Sequence, residues 1–491
     1  MGGTALSRPP RTGTCRAVPL PATIARSDAP SAQSCSRRGR SMEPPVSSSS
    51  DRTEDRGAPG ADRPRSPVAT LRRRADRIAR SFALSIFSQA LAFVAGVLII
   101  RSLDRVDYAA YSLSSTILGA VVIIADAGIN SAMMAAAARA DQAGRFAALL
   151  AAALRWRRTI WAIAIVPTLG LLLFLLVSSG TSLVAAVLIA VLTGALSFNS
   201  LSIGLLSIDY QISGRFTALQ VLDIVNAGLR VALIGVAAMI GVGGVLIYLS
   251  LGLVIGIAQR GLMARAISSR HAALPFTPED RRIFGAAIRS TLAVSVFLIV
   301  GDQLVNVLLV LRGNPLAIAD VAALGRFAVA FGLVNGVMAN IAAPYIARAG
   351  GTRRDVLRAS CAVVCAYGLI CVAYVLGVVL FEPLLLQVLG PRYDHLRSEL
   401  VVVAAGAAVS NFASWGLGLV THSRGWLAHS WLYGPLLALW ALWGLLVPDV
   451  STTLGACALA ATLGLPLLIS QAIRIVAGVR GLEPRKAEVI P

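Results

Sequence analysis

Twelve apolar runs, each about as long as a bilayer is thick, recur along this 491-residue chain and strongly limit how it can fold. A helix needs about 20 apolar residues to cross the hydrocarbon core. Backbone groups in lipid must be satisfied within the segment itself, which favours helices over open sheets. The sequence therefore predicts an all-α polytopic membrane protein. The predicted spans are 82–100, 112–134, 159–179, 182–206, 218–240, 243–259, 286–311, 321–344, 359–380, 400–420, 427–447 and 452–473.

Arginine alternates along the predicted loops. The loop between spans 2 and 3 is rich in it, with Arg155, Arg157 and Arg158, and the loops on the other side of the membrane hold few. Cytoplasmic loops carry the excess of positive charge, so we expect a multi-pass protein of the cell membrane with both termini in the cytoplasm. The formal charge of +20 then belongs to these loops and a basic tail. It gives no reason to expect nucleic acid as a partner.

Composition divides the chain into five segments. Residues 1–75 are rich in Ser, Pro, Arg and Gly without apolar periodicity, which predicts a disordered cytoplasmic tail. Spans 1–6 form a predicted N-lobe (76–260) and spans 7–12 a predicted C-lobe (286–475). A cytoplasmic linker (261–285) separates the lobes, and a second cytoplasmic tail (476–491) ends the chain.

The two halves echo one another. The segments 107–110 (DYAA) and 320–323 (DVAA) each re-enter the membrane after a span and a short outside loop. With six spans in each half, the copies share one orientation in the membrane. The echo therefore predicts two six-helix lobes related by a parallel pseudo-repeat, with its axis along the membrane normal.

Charged residues inside the predicted spans are the strongest physical clue to function, because hydrocarbon makes an unpaired charge costly. Arg230 lies in span 5 and Arg326 in span 8. Three acids, Asp126, Asp223 and Asp302, lie in spans 2, 5 and 7. Such residues are expected to face protein or a water-filled cavity.

Polar residues at helical spacing continue from these charges, and residues four apart share a helix face. The stripes are Ser81, Ser85 and Gln89 on span 1; Ser115, Gly119, Asp126 and Asn130 on span 2; Asp223, Asn226 and Arg230 on span 5; and Ser295, Asp302 and Asn306 on span 7. We expect them to face a central cavity between the lobes. Simpler interpretations stay open: Asp223 could be solvated or paired with Arg230, and Arg326 could extend to the outer interface.

The sequence lacks the motifs of common enzyme classes. The only lysine, Lys486, lies near the end, so the chain has no Walker A loop. His422 and His429 are separated by a predicted loop and do not have the spacing of a metal site. The longest outside loop, about 381–399, leaves no room for a catalytic domain. We expect no enzymatic activity, no cofactor and no metal.

The stretch RSLDRVDYAAYSLSSTILGAVVIIADAGIN (101–130) resembles the amino-terminal signature of the Wzx-like polysaccharide-biosynthesis flippases. These belong to the multidrug/oligosaccharidyl-lipid/polysaccharide exporter (MOP) superfamily. The shared features are an Arg-x-Leu loop, Tyr-Ala-x-Tyr at 108–111 and the ADAGIN helix end. FEPLLLQVLGPRYDHLRSEL (381–400) and DYQISGRF (209–216) are similar to two further loops of the same flippases.

The resemblance implies translocation of a polyprenyl-diphosphate-linked oligosaccharide to the outer leaflet by alternating access. It also implies that spans 1, 2, 7 and 8 wall the cavity and that the partners are polysaccharide polymerases or glycosyltransferases. The predicted substrate-binding residues are Arg230, Arg326, Asn130, Asn306 and Gln89. The predicted sites for a coupling proton or sodium ion are Asp126, Asp302 and Asp223, although the first two could instead pair with the arginines in the empty state.

Two other function classes stay open on the sequence alone. A cation-coupled drug exporter of the same superfamily shares twelve spans but usually lacks the Tyr-Ala-x-Tyr and Asp-x-Gly-x-Asn pattern. An integral membrane enzyme, such as a polysaccharide polymerase or a polyprenyl-dependent glycosyltransferase, normally carries a large outside loop, which this sequence lacks.

Overall fold

The computed structural model of the chain describes a helical bundle. The described residues are 67–130, 132–133, 143–213, 215–268, 278–312, 314–349, 353–426, 429–446 and 449–481, and they contain helices and no strand. Most of the predicted tail, residues 1–66, lies outside the described residues. The first helix begins at Pro67, eight residues before the predicted end of the tail.

The first six helices follow one another with short connections. They pack mainly as the pairs α1 with α5, α2 with α3, α2 with α4, and α4 with α6. Their bounds are α1 (Pro67–Ser102), α2 (Arg105–Asp126), α3 (Ala143–Ser178), α4 (Leu183–Ile212), α5 (Phe216–Met239) and α6 (Val245–Ser268).

The second half is less regular. Its helices are α7 (Pro278–Leu311), α8 (from Ala317 to Arg348), α9 (Arg353–Leu380), the short α10 (Glu382–Leu389), α11 (Arg397–Ser423), α12 (Tyr433–Leu446) and α13 (Thr453–Arg480). A 3₁₀ turn at Arg326–Val329 and a π-helical turn at Met338–Ala342 interrupt α8. A second π-helical turn, Phe412–Leu417, interrupts α11.

The helix lengths confirm the predicted fold class. In the described part of the chain, ten helices are long and apolar enough to cross a membrane, and the shorter apolar segments Ser295–Leu311 and Ser430–Leu446 complete the twelve predicted spans. The protein is a multi-pass membrane protein. Hydropathy placed the start of span 2 at residue 112, whereas α2 begins at Arg105. Asp104 caps this helix by accepting a hydrogen bond from the Asp107 backbone N–H at 2.7 Å, so a charged segment that looks like a loop is helical.

The hydrophobic core is continuous at one end of the bundle and divided at the other. We call the end with the α1–α2, α7–α8 and α9–α11 connections the closed end. There, one buried cluster contains residues of both halves, including Ile99 and Leu113 from the first and Leu309 and Leu400 from the second. At the opposite end the halves have separate cores. The two lobes are thus joined through a common core at the closed end.

Helix α7 crosses the predicted lobe boundary. Phe284 and Ile288, near its start, pack into the core formed by α2–α6. The end of α7, with Leu308 and Leu309, belongs to the common core. Of the predicted linker 261–285, the first part continues α6 and the last part begins α7, while residues 269–277 lie outside the described residues.

Candidate functional site

Two tyrosines and two arginines meet where α2, α5 and α8 come together. Tyr108 and Tyr111, both buried, stack in the first turns of α2 with ring centroids 6.5 Å apart. Arg230 of α5 donates from Nη2 to the Tyr111 hydroxyl at 2.8 Å. Arg326 of α8 donates from Nε to the Tyr108 hydroxyl at 3.4 Å. We call these four residues the Arg–Tyr cluster.

Both arginines of the cluster lie at the same depth. Arg230 is nine residues before the end of α5, and Arg326 is nine residues after the start of α8. At 1.5 Å per residue, each lies about 14 Å from the closed end of its helix, near the middle of a hydrocarbon core about 30 Å thick. The structure thus brings together two of the predicted substrate-binding residues. It joins them through the Tyr-Ala-x-Tyr motif, for which the sequence suggested no partner.

Neutral hydroxyl groups are the side-chain partners of these arginines. Among the described residues, neither guanidinium has a carboxylate within ion-pair distance. Both side chains are partly accessible, and the Nε of Arg230 has no hydrogen-bond partner. Each guanidinium has five N–H donors, so most of the hydrogen-bonding capacity is unused. Two positive charges therefore lie deep in the membrane, and no carboxylate in the described part of the chain neutralises them.

A second site lies where α2 faces α7 and α8. A partly open pocket of about 350 Å³ is bordered by these helices and by α13. Asp302, Gln303 and Asn306 of α7 line it, so the predicted residues Asp302 and Asn306 share one pocket. Asn306 donates to the Gln303 side-chain oxygen at 3.4 Å. The Asp302 side chain is exposed and has no ion-pair partner among the described residues.

The face of α2 that borders this pocket differs from the predicted stripe. Ser112, Thr116 and Gly119 line it, whereas Asp126 and Asn130 do not. The reason is the end of the helix: Ala127 and Gly128 have φ of 37° and 78°, so α2 stops at Asp126. Asn130 therefore does not continue the helical face on which the stripe was based.

Asp126 instead belongs to an ion pair inside the first lobe. Its carboxylate accepts hydrogen bonds from Arg157 of α3 and from the Asn130 backbone N–H, the latter at 3.3 Å. Arg157 also donates to the Leu201 carbonyl of α4 at 2.9 Å, and its side chain is 3% exposed. The sequence interpretation placed Arg157 in a cytoplasmic loop, because hydropathy started span 3 at residue 159. An acid within a span needs a positively charged partner, and a search of the sequence for that partner could have identified Arg157.

The other two predicted residues lie on different surfaces. Asp223 accepts a hydrogen bond from Gln259 of α6 at 3.0 Å, and Gln259 in turn accepts one from Asn226. The possible Asp223–Arg230 pair is not formed, because Arg230 extends to Tyr111. Gln89 is exposed on α1, close to Gly332 of α8. The buried Gln259 was missed because a neutral polar residue gives no charge signal in a span.

Polar contacts join the lobes at the closed end. Arg105 of α2 forms an ion pair with Asp320 of α8, whose side chain is 1% exposed. We call this pair the interlobe latch. Arg101 donates to the backbone carbonyl of Val388 in α10 at 3.0 Å. Arg392 donates to the Leu103 carbonyl at 2.8 Å. Asp107 and Asp320, which the sequence echo aligned, both lie in the first turn of their helices.

No protein-family model matches the sequence, and neither does any curated protein. Solved structures do share the fold. An inward-facing multidrug-resistance MATE transporter of the MOP superfamily is 15% identical, with 81% of this chain and 96% of that chain covered and a TM-score of 0.60. The eukaryotic MATE transporter AtDTX14 is 14% identical (82% and 96% covered, TM-score 0.56), and the lipid II flippase MurJ in an inward closed conformation is 11% identical (82% and 89%, 0.57).

The chain has the fold of these transporters. The similarity extends over 81–82% of this chain. At identities of 11–15% it shows the fold alone.

Proposed function

We propose that this protein is a flippase that moves a polyprenyl-diphosphate-linked oligosaccharide across the membrane by alternating access. The observation that supports this proposal best is the Arg–Tyr cluster. Two guanidinium groups lie at one depth near the middle of the membrane, and their side-chain partners among the described residues are neutral. A diphosphate has the acceptor oxygens and the charge that such donors require, and charge-assisted hydrogen bonds are about twice as strong as neutral ones.

Because tyrosines rather than carboxylates contact Arg230 and Arg326, the cluster favours an anionic ligand. A carboxylate in place of either tyrosine would cancel the arginine charge and compete with a phosphate. A tyrosine hydroxyl accepts one hydrogen bond, holds the guanidinium in position and leaves its charge unchanged. Arg230 and Arg326 are therefore assigned to the anionic head group. Asn306 in the neighbouring pocket and Gln89 on α1 are assigned to the polar part of the substrate.

Asp302 is the acid that best fits the coupling role. It lines the interlobe pocket without a cationic partner in the described part of the chain, so it can bind a proton or a sodium ion. Asp126 and Asp223 were predicted for the same role, but both are held by protein groups in this conformation. The proposed direction is towards the outer leaflet, with both termini cytoplasmic, as the arginine distribution favours. Glycosyltransferases or polymerases of surface polysaccharide would supply and consume the lipid.

A cation-coupled drug exporter is the second candidate. The observation that favours it is the pocket of about 350 Å³, which combines one carboxylate with an apolar lining, including Ile123, Ile299 and Leu463. A hydrophobic cation would fit such a lining. Two of the structures that share the fold are described as MATE transporters, one of them for multidrug resistance.

The decisive experiment measures the leaflet that holds the lipid-linked sugar. Cells depleted of this protein receive the wild type, Arg230→Gln/Arg326→Gln or Arg348→Gln, each expressed at the same level. Arg348 is an exposed arginine on the same helix as Arg326 and serves as the matched control. A membrane-impermeant sugar-modifying reagent then reports the outer-leaflet fraction of polyprenyl-linked oligosaccharide, and mass spectrometry identifies the sugar.

In depleted cells, and in cells that carry the double variant, we expect the polyprenyl-linked oligosaccharide to accumulate in the inner leaflet, protected from the reagent. In cells that carry the wild type or Arg348→Gln, we expect the reagent to modify this lipid again. Full rescue by Arg230→Gln/Arg326→Gln would refute the site assignment. No accumulation on depletion, together with drug resistance that Asp302→Asn abolishes and the double arginine variant retains, would establish the drug exporter.

A further inference from the structure

A second group of arginines surrounds one aromatic ring in the first lobe. The guanidinium carbon of Arg158 (α3) lies 5.8 Å from the centroid of the Phe198 ring (α4). The guanidinium carbon of Arg260 (α6) lies 5.5 Å from the same centroid. Trp161 meets the same ring edge-on at 5.2 Å and donates from Nε1 to the Ser197 hydroxyl at 2.9 Å. Three helices thus bring two cations to one fixed aromatic surface.

Neither cation is neutralised by a carboxylate that the structure describes. Among the described residues, Arg158 and Arg260 have no carboxylate within ion-pair distance and no hydrogen-bond acceptor, and Arg158 is exposed while Arg260 is half-buried. A ring face attracts a guanidinium through its negative quadrupole. It positions the cation but leaves its five N–H donors available. The two side chains are therefore held in place with their hydrogen-bonding edges unused.

A small cleft beside the ring contributes a third guanidinium. Leu154, Leu201 and Ser202 line this cleft, together with Arg157 and Arg158. Arg157 is 3% exposed, and its Nε has no hydrogen-bond partner although its other nitrogens reach Asp126 and Leu201. An unsatisfied buried donor is costly. The cleft therefore places a third guanidinium, already paired with Asp126, beside the ring.

The depth of this site matches a lipid head group. Phe198 is 15 residues from the closed-end start of α4, and Arg260 is 15 residues from that of α6. Arg158 is 20 residues from the closed end of α3. At 1.5 Å per residue, the ring lies about 22 Å and Arg158 about 30 Å from the closed end. The site therefore reaches the opposite membrane interface, where phosphates lie and where Trp is frequent.

We infer that Arg158, Arg260 and Phe198 form a binding site for the phosphate of an anionic phospholipid, on the side of the membrane opposite the closed end. The guanidinium edges would take the phosphate oxygens, while the acyl chains would follow the apolar surface of α3 and α4. A zwitterionic lipid would bring its own cation close to two arginines, so the site should prefer phosphatidylglycerol to phosphatidylcholine. This site is distinct from the Arg–Tyr cluster and does not depend on the proposed substrate.

The test uses the purified full-length protein in detergent. Native mass spectrometry counts bound phosphatidylglycerol and phosphatidylcholine, and the thermal midpoint is measured with each lipid and with inorganic phosphate. The variants are Arg158→Gln/Arg260→Gln, Phe198→Leu and the control Arg155→Gln, an exposed arginine one turn from Arg158. We expect the wild type and the control to retain one tightly bound phosphatidylglycerol. The double variant should bind phosphatidylglycerol about tenfold more weakly, because two charge-assisted contacts are lost. The affinity of Phe198→Leu should lie between those of the wild type and the double variant.

Equal retention of phosphatidylglycerol by the double variant, or equal binding of phosphatidylcholine by the wild type, would overturn the inference. Stabilisation by inorganic phosphate alone would assign the site to a soluble anion instead. If the double variant does not purify, Arg158→Lys/Arg260→Lys is used in its place. This variant keeps both positive charges but removes the planar guanidinium groups. That variant should still prefer phosphatidylglycerol but bind it more weakly than the wild type, and binding as tight as that of the wild type would also overturn the inference.

Discussion

Asp126 and Asp302 are both acids within membrane-spanning helices, but their surroundings differ. Asp126, at the end of α2, is bound to a buried arginine that also contacts a backbone carbonyl of α4. Asp302, on α7, lines the interlobe pocket without a cationic partner among the described residues. The first acid joins three helices of one lobe. The second borders a pocket, and in the proposed function it exchanges a proton or a cation there.

The comparison shows that an acid within a span is not by itself a functional site. Its cost in hydrocarbon is met either by a fixed counter-charge or by water and a ligand. In the first case, removing the acid leaves a buried charge and lowers stability. In the second case, the fold does not need the acid, and removing it affects function. The following predictions separate these cases through the free energy of unfolding, from the largest expected change to the smallest.

Asp126→Ala should be the most destabilising of these substitutions. It leaves Arg157, with 3% exposure, without its carboxylate, and breaking a buried ion pair from one side costs about 3–5 kcal/mol. Denaturant unfolding in detergent micelles measures the loss. Asp126→Ala/Arg157→Leu removes both charges and should recover much of it. A single variant as stable as the wild type would remove the contrast with Asp302.

Asp320→Asn should have the next largest effect, because it breaks the interlobe latch. Asp320 is buried and Arg105 is about one-third exposed, so the expected loss is about 1–3 kcal/mol. The loss should also favour opening of the closed end. Cys457 is fully buried in the common core there and can report that opening.

The measurement uses variants in which Cys457 is the only cysteine and follows its rate of reaction with a thiol reagent. We expect faster labelling in Asp320→Asn than in the parent. Asp394→Asn, an exposed acid at the same end, is the control and should leave the rate unchanged. Equal rates in all three proteins would show that the latch does not hold the closed end.

The sequence could predict the twelve spans and the depth of most charges within them, because hydropathy and span length follow directly from the bilayer. It could not predict partners. The stripe through Asp126 and Asn130 assumed a continuous helix, whereas the left-handed residues Ala127 and Gly128 end α2. Gly128 in the ADAGIN segment was the available signal. Arg230 and Arg326 contact neighbouring tyrosines because α5 and α8 pack around α2. The spacing of residues along the chain gives no information about that packing.

Tyr108→Phe/Tyr111→Phe should cost less than the charge variants. Each substitution removes one hydrogen bond, worth about 1 kcal/mol, and keeps the ring. We expect weaker binding of a polyprenyl diphosphate as well, because Arg230 and Arg326 lose the contacts that hold them in place. Tyr248→Phe is the matched control, since its hydroxyl donates to Ser102 at 2.7 Å at the same end of the bundle. It should lower stability by about half as much, since it removes one hydrogen bond instead of two, and it should leave binding unchanged. Equal binding by the wild type, the double variant and Tyr248→Phe would refute a positioning role for Tyr108 and Tyr111.

Asp302→Asn should change stability least, by no more than about 0.5 kcal/mol, because no cationic partner in the described structure depends on it. The substitution keeps the shape of the side chain and removes its ability to bind a proton or cation. We therefore expect normal folding, with transport that no longer responds to a pH or sodium gradient across proteoliposomes. Gln303→Glu, which adds an acid one residue away, should not restore the response, since Gln303 is buried beside Asn306 rather than accessible. If Asp302→Asn instead unfolds as readily as Asp126→Ala, Asp302 has a structural partner. The distinction between a paired acid that maintains the fold and an accessible acid that serves transport would then fail.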